Sequence, residues 1–128
     1  METLLKFSDV ELYYDHVYAL KGVSVDLARG ETVALIGANG AGKSSILRAI
    51  TGLRRIKSGS IHFEGRRIDA LGPADIVRLG IAMVPEGRRV FPYMSVRDNL
   101  LMGAFTRSDA AGVKASLDMV LARFPRLR

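Results

Sequence analysis

The chain has 128 residues, which is the size of one domain, and its 48% hydrophobic and 25% charged residues are typical of a globular protein rather than a disordered one. It contains no cysteine, which excludes disulfides, Cys-based zinc sites and thiol catalysis. The net charge is +6, from 19 Lys and Arg against 13 Asp and Glu, and the arginines are spread over several segments. We therefore interpret it as solvated surface charge and expect no nucleic-acid partner. Nucleic-acid binding stays an alternative, which strongly salt-dependent binding to DNA or RNA would support.

No segment predicts a membrane span or a signal peptide. The longest apolar runs are only a few residues long, as at 81–84, and the first six residues include an acid and lack a long apolar run. We expect a protein that is soluble or bound peripherally to a membrane.

The hydrophobic pattern alternates between strands and helices. The predicted strands are 5–14, the strictly alternating 23–27, the continuous apolar run 32–36, a strand through Ile61 and Phe63, and 81–84. The first two predicted helices are 45–50, with a stop near Gly52, and 73–79, which begins at Pro73 and is ended by Gly80. A third begins at a Ser95–Asp98 capping box and runs through Leu101. The last has an apolar stripe formed by Val113, Leu117, Val120, Leu121 and Phe124. This order predicts an α/β fold with a mixed sheet, in which 32–36 and 81–84 form a central parallel pair.

The clearest motif is the segment 37–44, which reads Gly-Ala-Asn-Gly-Ala-Gly-Lys-Ser and matches the phosphate-binding pattern G-x-x-x-x-G-K-[ST]. A predicted strand precedes it and a predicted helix follows, which is the context that this loop requires. Free N–H groups at the helix start attract phosphate, and glycines allow the backbone to approach it. We predict that Lys43 contacts the β- and γ-phosphates of ATP and that Ser44 binds Mg²⁺. The predicted nucleotide-binding residues here are Gly37, Asn39, Gly40, Ala41, Gly42, Lys43, Ser44 and Ser45.

The loop alone leaves several enzyme classes open. The guanine-recognition tetrad Asn-Lys-x-Asp of GTPases does not occur in the sequence. A P-loop nucleoside or metabolite kinase stays open as an alternative.

Nearly the whole chain resembles the ATPases of ABC transporters. The matching stretches are 19–24, 29–31, 35–44, 52–53 and 58–61. Within that family, 81–91, 95–100 and 124–127 resemble the ATPase subunits of bacterial branched-chain amino acid importers. The resemblance implies the N-terminal part of one nucleotide-binding domain, a P-loop NTPase. A RecA-like core with an antiparallel β-subdomain would cover about 1–90, and a truncated helical subdomain would cover about 91–128.

The resemblance also implies roles for two residues outside the loop. Tyr14 stands where the family places an aromatic residue that stacks on adenine, with Tyr13 and Tyr18 as competitors, and Asp15 replaces the glycine often found next. Glu86 stands where most members have a glutamine, between the γ-phosphate site and the membrane subunits. We expect Glu86 to contact Mg²⁺ or the attacking water, and Lys43 and Glu86 to be the catalytic residues present.

The implied function is that of the ATP-binding subunit of an importer, which couples ATP binding and hydrolysis to uptake of amino acids, in particular branched-chain ones. It would lie on the cytoplasmic face of the cell membrane, against transmembrane permease subunits and a second ATPase subunit. The signature motif, the Walker B aspartate with its catalytic glutamate, and the switch histidine do not occur in these 128 residues. We therefore expect ATP binding with poor hydrolysis from this chain alone, and a truncated fragment that only binds nucleotide stays an alternative.

Overall fold

The computed structural model describes residues 2–37 and 42–128, which divide into two units, residues 1–83 and 84–128. The first unit contains a four-stranded sheet and two helices. Its strands are β1 (Thr3–Tyr14), β2 (Val17–Ala28), β3 (Ser58–Phe63) and β4 (Arg66–Arg67), and its helices are α1 (Lys43–Ile50) and α2 (Pro73–Arg78). The strands lie in the order β2-β1-β3-β4, and each neighbouring pair is antiparallel.

A two-residue turn joins β1 to β2, because Tyr14 pairs with Val17. Asp15, the first residue of this turn, has φ 55°. Tight hairpin turns require positive φ, which glycine adopts freely and aspartate adopts more readily than most residues. This gives a physical reason why an aspartate can stand where the resemblance implies a glycine.

The core of the first unit lies between the sheet and α1. β1 contributes Phe7, Val10 and Leu12, with a shift of register between the first two, and α1 contributes Ile46 and Ala49, which are 9% and 3% exposed. The buried cluster consists of Phe7, Val10, Leu12, Leu20, Ile46, Ala49, Ile61 and Ile68. Since β1 and β2 supply half of this cluster, the early hairpin fixes the position of α1.

Most predicted elements are confirmed. The strands at 5–14 and 23–27 lie within β1 and β2, and the helix predicted at 45–50 is α1, which begins two residues earlier. Pro73 is the first residue of α2, as expected for a residue whose missing N–H needs no partner there.

The predicted central parallel pair is wrong for the described residues. Neither 32–36 nor 81–84 is a strand, and Ile36 and Val84 are 95% and 94% exposed. A continuous apolar run has the composition of a buried strand, but a strand also needs a neighbour to pair with its N–H and C=O groups. Within residues 2–37 and 42–128, no strand pairs with either segment, so the sheet is purely antiparallel.

The second unit contains α3 (Val96–Met102), α4 (Ala110–Arg123) and a 3₁₀ turn (Pro125–Leu127). The expected cap is present, because the Ser95 hydroxyl oxygen accepts a hydrogen bond from the Asp98 N–H at 3.0 Å. The stripe on α4 is only partly covered: Leu117 is 8% exposed, whereas Phe124, just past the helix, is 60% exposed. A subdomain boundary near residue 91 stays a prediction.

Across the described ranges, none of the helices has the length and apolar character needed to cross a bilayer.

The start of β3 provides a test of the fold. Gly59 has φ +90°, and a Cβ there would lie 2.4 Å from the Asp9 carbonyl oxygen and 2.5 Å from that of Ser8. Gly65 has φ +80° with open space around it. We expect Gly65→Ala to lower the free energy of unfolding by about 1–2 kcal/mol through backbone strain alone. Gly59→Ala should lower it by at least ~1 kcal/mol more, through steric overlap. Urea unfolding of both variants measures the difference, and equal losses would contradict the close packing of β3 on β1.

Candidate nucleotide-binding site

Helix α1 begins at the end of the glycine-rich loop, and Gly42 is its N-cap. Gly42 has φ 98° and ψ 3°, the left-handed conformation that glycine favours. A Cβ at this position would lie 3.0 Å from Leu20 Cδ2 and 3.1 Å from the Ala19 carbonyl oxygen. The absence of a side chain thus allows the first turn of α1 to lie directly against β2.

The N-terminus of α1 has the chemistry of an anion site. In the described part of the chain, no side chain caps it, and its first turn contains no acidic residue. The first N–H groups of a helix have no partner within the helix, and they carry partial positive charge. The N–H groups of residues 43–45 can therefore receive phosphate oxygens.

Lys43 and Ser44 stand in the first turn of α1. The Lys43 ammonium donates a hydrogen bond to the Gly37 carbonyl oxygen and so connects the two ends of the loop. The Ser44 side chain is exposed and offers a hydroxyl oxygen, a donor type that Mg²⁺ accepts. Asn39, Gly40 and Ala41, which were predicted to bind nucleotide, lie outside the described residues.

Tyr14 ends β1 beside this helix. Its hydroxyl oxygen accepts hydrogen bonds from Ser45 Oγ at 3.3 Å and from an Arg48 guanidinium nitrogen at 3.3 Å. Ser45 is buried at 7% exposure, and Tyr14 is half-buried against the core. The Arg54 guanidinium carbon lies 4.4 Å from the centroid of the Tyr14 ring.

The charges around Tyr14 change its ionisation. Burial raises the pKa of the hydroxyl, but hydrogen bonds from Ser45 and Arg48 and the positive charges of Arg48 and Arg54 together outweigh burial. The pKa of Tyr14 therefore lies below the usual value for tyrosine. The direction reflects the positive charges of Arg48 and Arg54 near the Tyr14 hydroxyl.

Tyr13 and Tyr18, the competing tyrosines, are placed differently. They face each other across the β1–β2 hairpin with ring centroids 4.0 Å apart, and Lys57 Nζ lies 4.5 Å from the Tyr13 centroid. Tyr14, in contrast, hydrogen-bonds to α1 through Ser45 and Arg48. Tyr14 is thus linked to the helix that follows the glycine-rich loop, and its role in stacking on adenine stays a prediction.

Glu86 belongs to the second unit. Its side chain is exposed, and its carbonyl oxygen accepts a hydrogen bond from Arg89 Nε at 3.3 Å. The described residues contain no cluster of three or more His, Asp or Glu side chains that could hold a metal. Mg²⁺ commonly uses one or two protein oxygens together with phosphates and water, so Ser44 fits it without such a cluster. A metal or catalytic role for Glu86 stays a prediction.

Sequence reasoning missed two residues of the site, Arg48 and Arg54. Arg48 follows Ser45 by three positions on α1 and thus lies on the same helix face, so helical spacing could have found it. Arg54 lies in the irregular segment after α1, where no periodicity indicates which way a side chain points.

Several known proteins are similar to this chain. A family model described as ABC transporter matches residues 20–126. The high-affinity branched-chain amino acid transport ATP-binding protein BraG of Pseudomonas aeruginosa is 46% identical over 125 residues, which are 98% of this chain and 53% of that protein. The sn-glycerol-3-phosphate import ATP-binding protein UgpC of Vibrio cholerae is also 46% identical, over 98 residues that are 77% of this chain and 26% of that protein. The chain thus spans about half, or less, of the length of these relatives.

A solved structure extends the similarity to the fold. An ATP-binding cassette of an ABC transporter, crystallised in its ADP conformation, superposes with a TM-score of 0.70 at 28% sequence identity. The superposition covers 91% of this chain and 46% of that cassette.

Proposed function

Because the chain belongs to the ABC transporter family, we propose that it is the nucleotide-binding part of an importer ATPase, which couples ATP binding and hydrolysis to uptake of amino acids. The observation that supports this most strongly is the start of α1. Gly42 begins the helix with no side-chain cap, Lys43 supplies a cation, and Ser44 supplies a hydroxyl oxygen. Tyr14 is hydrogen-bonded to the same helix.

Phosphate binding is the first step of the proposal. The N–H groups of the first turn of α1 hold phosphate oxygens, and Lys43 exchanges its bond to the Gly37 carbonyl for bonds to the β- and γ-phosphates. Asn39, Gly40 and Ala41, which lie outside the described residues, are proposed to bind the phosphates as well. Ser44 holds Mg²⁺, which neutralises phosphate charge when bound.

Adenine binding is the second step. Tyr14 stands at the end of β1 with its hydroxyl fixed by Ser45 and Arg48, so its ring has a defined orientation beside the phosphate site. Stacking of a base on an aromatic ring contributes about 1–3 kcal/mol in nucleic-acid binders, and a similar gain is expected here.

Coupling to transport involves the second unit. Glu86 lies in the segment proposed to link the γ-phosphate with the membrane subunits, and its carboxylate is exposed and able to contact Mg²⁺ or water. The proposed partners are transmembrane permease subunits and a second ATPase subunit, on the cytoplasmic face of the cell membrane. The 128 residues alone are proposed to bind ATP and to hydrolyse it poorly.

Branched-chain amino acids are the proposed solute. The two relatives described above are each 46% identical to this chain. The similarity to the branched-chain amino acid protein covers 98% of this chain, whereas the similarity to the glycerol-3-phosphate protein covers 77%. The more extensive similarity supports the branched-chain assignment.

Replacement of the loop lysine tests the phosphate site. Lys43→Ala removes charge-assisted hydrogen bonds of about 1.5–3 kcal/mol, so we expect the Kd for Mg-ATP to rise about tenfold or more. Isothermal titration calorimetry on the 128-residue chain measures it. Lys57→Ala is the matched control, because Lys57 lies over the Tyr13 ring instead. Wild-type affinity in Lys43→Ala would mean that the site is assigned wrongly.

Replacement of Glu86 tests the coupling segment and requires the complete ATPase assembled with its transport partners. We expect Glu86→Ala to lower the rate of ATP hydrolysis at least ~10-fold while the Kd for ATP changes little, because positioning of water or metal for reaction contributes to rate more than to binding. Asp118→Ala removes the charge of another exposed residue of the second unit and should leave hydrolysis unchanged. Unchanged turnover in Glu86→Ala would contradict the role.

A further inference from the structure

We propose that Arg54 competes with the base of a bound nucleotide for the ring of Tyr14, and so sets how strongly the site prefers a nucleotide over a triphosphate without a base. The proposal rests on the proposed function, since it concerns the same site. It follows from three observations about the two side chains: the position of the guanidinium, the fixed ring, and the freedom of Arg54 to leave.

The first observation is steric. The Arg54 guanidinium carbon lies 4.4 Å from the centre of the Tyr14 ring, the separation of a cation stacked on an aromatic face. Stacked ring systems also place their centres about 4.5 Å or more apart. The guanidinium and an adenine therefore require the same space, and only one of them can lie on this face of the ring.

The second observation is that the ring cannot readily turn another face to the base. Tyr14 is held at its hydroxyl by Ser45 and Arg48, both at 3.3 Å, and its ring is packed against the core cluster. A change of rotamer would break both hydrogen bonds. The face covered by Arg54 is thus the surface that Tyr14 can offer to a ligand.

The third observation is that Arg54 can move away. Its side chain is exposed, and within residues 2–37 and 42–128 its guanidinium forms no hydrogen bond or ion pair with the protein. The next residue differs, because an Arg55 guanidinium nitrogen donates a hydrogen bond to the Ala70 carbonyl oxygen at 2.9 Å. Arg54 is therefore held mainly by the ring itself, and Arg55 provides a matched comparison.

The expected magnitude follows from the two competing contacts. A cation over an exposed aromatic ring contributes about two- to fivefold in an equilibrium constant. Base–aromatic stacking contributes about fivefold to more than 100-fold. The base should therefore displace Arg54, and this displacement should weaken nucleotide binding by about two- to fivefold.

Two ligands and two variants test the proposal. Mg-ATP and inorganic tripolyphosphate are titrated into the wild-type chain, Arg54→Ala and Arg55→Ala, and the ratio of the two affinities is compared. Both variants lose one positive charge, and tripolyphosphate carries more negative charge than ATP, so Arg55→Ala measures how charge alone changes the ratio. We expect the ratio to rise in favour of ATP about two- to fivefold more in Arg54→Ala than in Arg55→Ala. Circular dichroism verifies that both variants are folded.

The other outcomes overturn the proposal in distinct ways. An unchanged ratio in Arg54→Ala would mean that Arg54 does not compete with the base, and a lower ratio would mean that it stacks on the base as a second clamp. If Tyr14→Leu does not abolish the effect of Arg54→Ala, competition for the ring is wrong. If the wild-type chain binds neither ligand in a Lys43-dependent way, the proposed function itself fails. Retained triphosphate binding with an unchanged ratio contradicts only the role of Arg54.

Discussion

The structure depends on the close contact between the first turn of α1 and strand β2. Gly42 makes this contact possible, because a Cβ at its position would lie 3.0 Å from Leu20 Cδ2 and 3.1 Å from the Ala19 carbonyl oxygen, closer than ordinary van der Waals contact. Ile46 and Ala49, one turn or more further on, continue the contact into the core. The helix start is therefore fixed to the sheet, and a helix N-terminus that is fixed in place can hold an anion without a large cost in ordering.

The same sheet brings the second half of the candidate site into place. Tyr14 is the last residue of β1, and β1 is the neighbour of β2, against which α1 is packed. The hydroxyl of Tyr14 receives bonds from Ser45 and Arg48 on the helix, so strand end and helix start support each other. One packed unit thus holds both a helix N-terminus without a side-chain cap and an aromatic ring, the two surfaces that the proposed nucleotide site uses.

Positive charge is more localised than the sequence indicates. The arginines are spread along the chain, and their pattern alone favours a scattered solvated surface. The fold nevertheless brings Arg48 and Arg54 to the Tyr14 ring and hydroxyl, in the same unit as Lys43. The lowered pKa of Tyr14 is a consequence of this arrangement.

The sequence predicted local features well. The cap at Ser95, the first position of α2 at Pro73 and the strands of the β1–β2 hairpin follow from rules that concern neighbouring residues. The apolar runs at 32–36 and 81–84 were misjudged because strand formation depends on a pairing partner, which no local pattern reveals. The fixed spacing of residues 37–44 predicts a phosphate-binding loop, and its binding residues stay a prediction. The position of Arg54 over Tyr14 could not, because it depends on how an irregular segment folds back on the sheet.

The central claim is that a nucleotide binds with its phosphates at the start of α1. Paramagnetic relaxation by Mn²⁺-ATP, measured on the backbone amides of the isotope-labelled chain, tests it most directly. The account predicts strong broadening of the amides of Lys43, Ser44 and Ser45, while those of Glu64 and Gly65, in the β3–β4 turn at the opposite end of β1 from Tyr14, retain more of their intensity. Absence of broadening at α1, or stronger broadening at the Tyr13–Tyr18 pair than at Lys43, would contradict it.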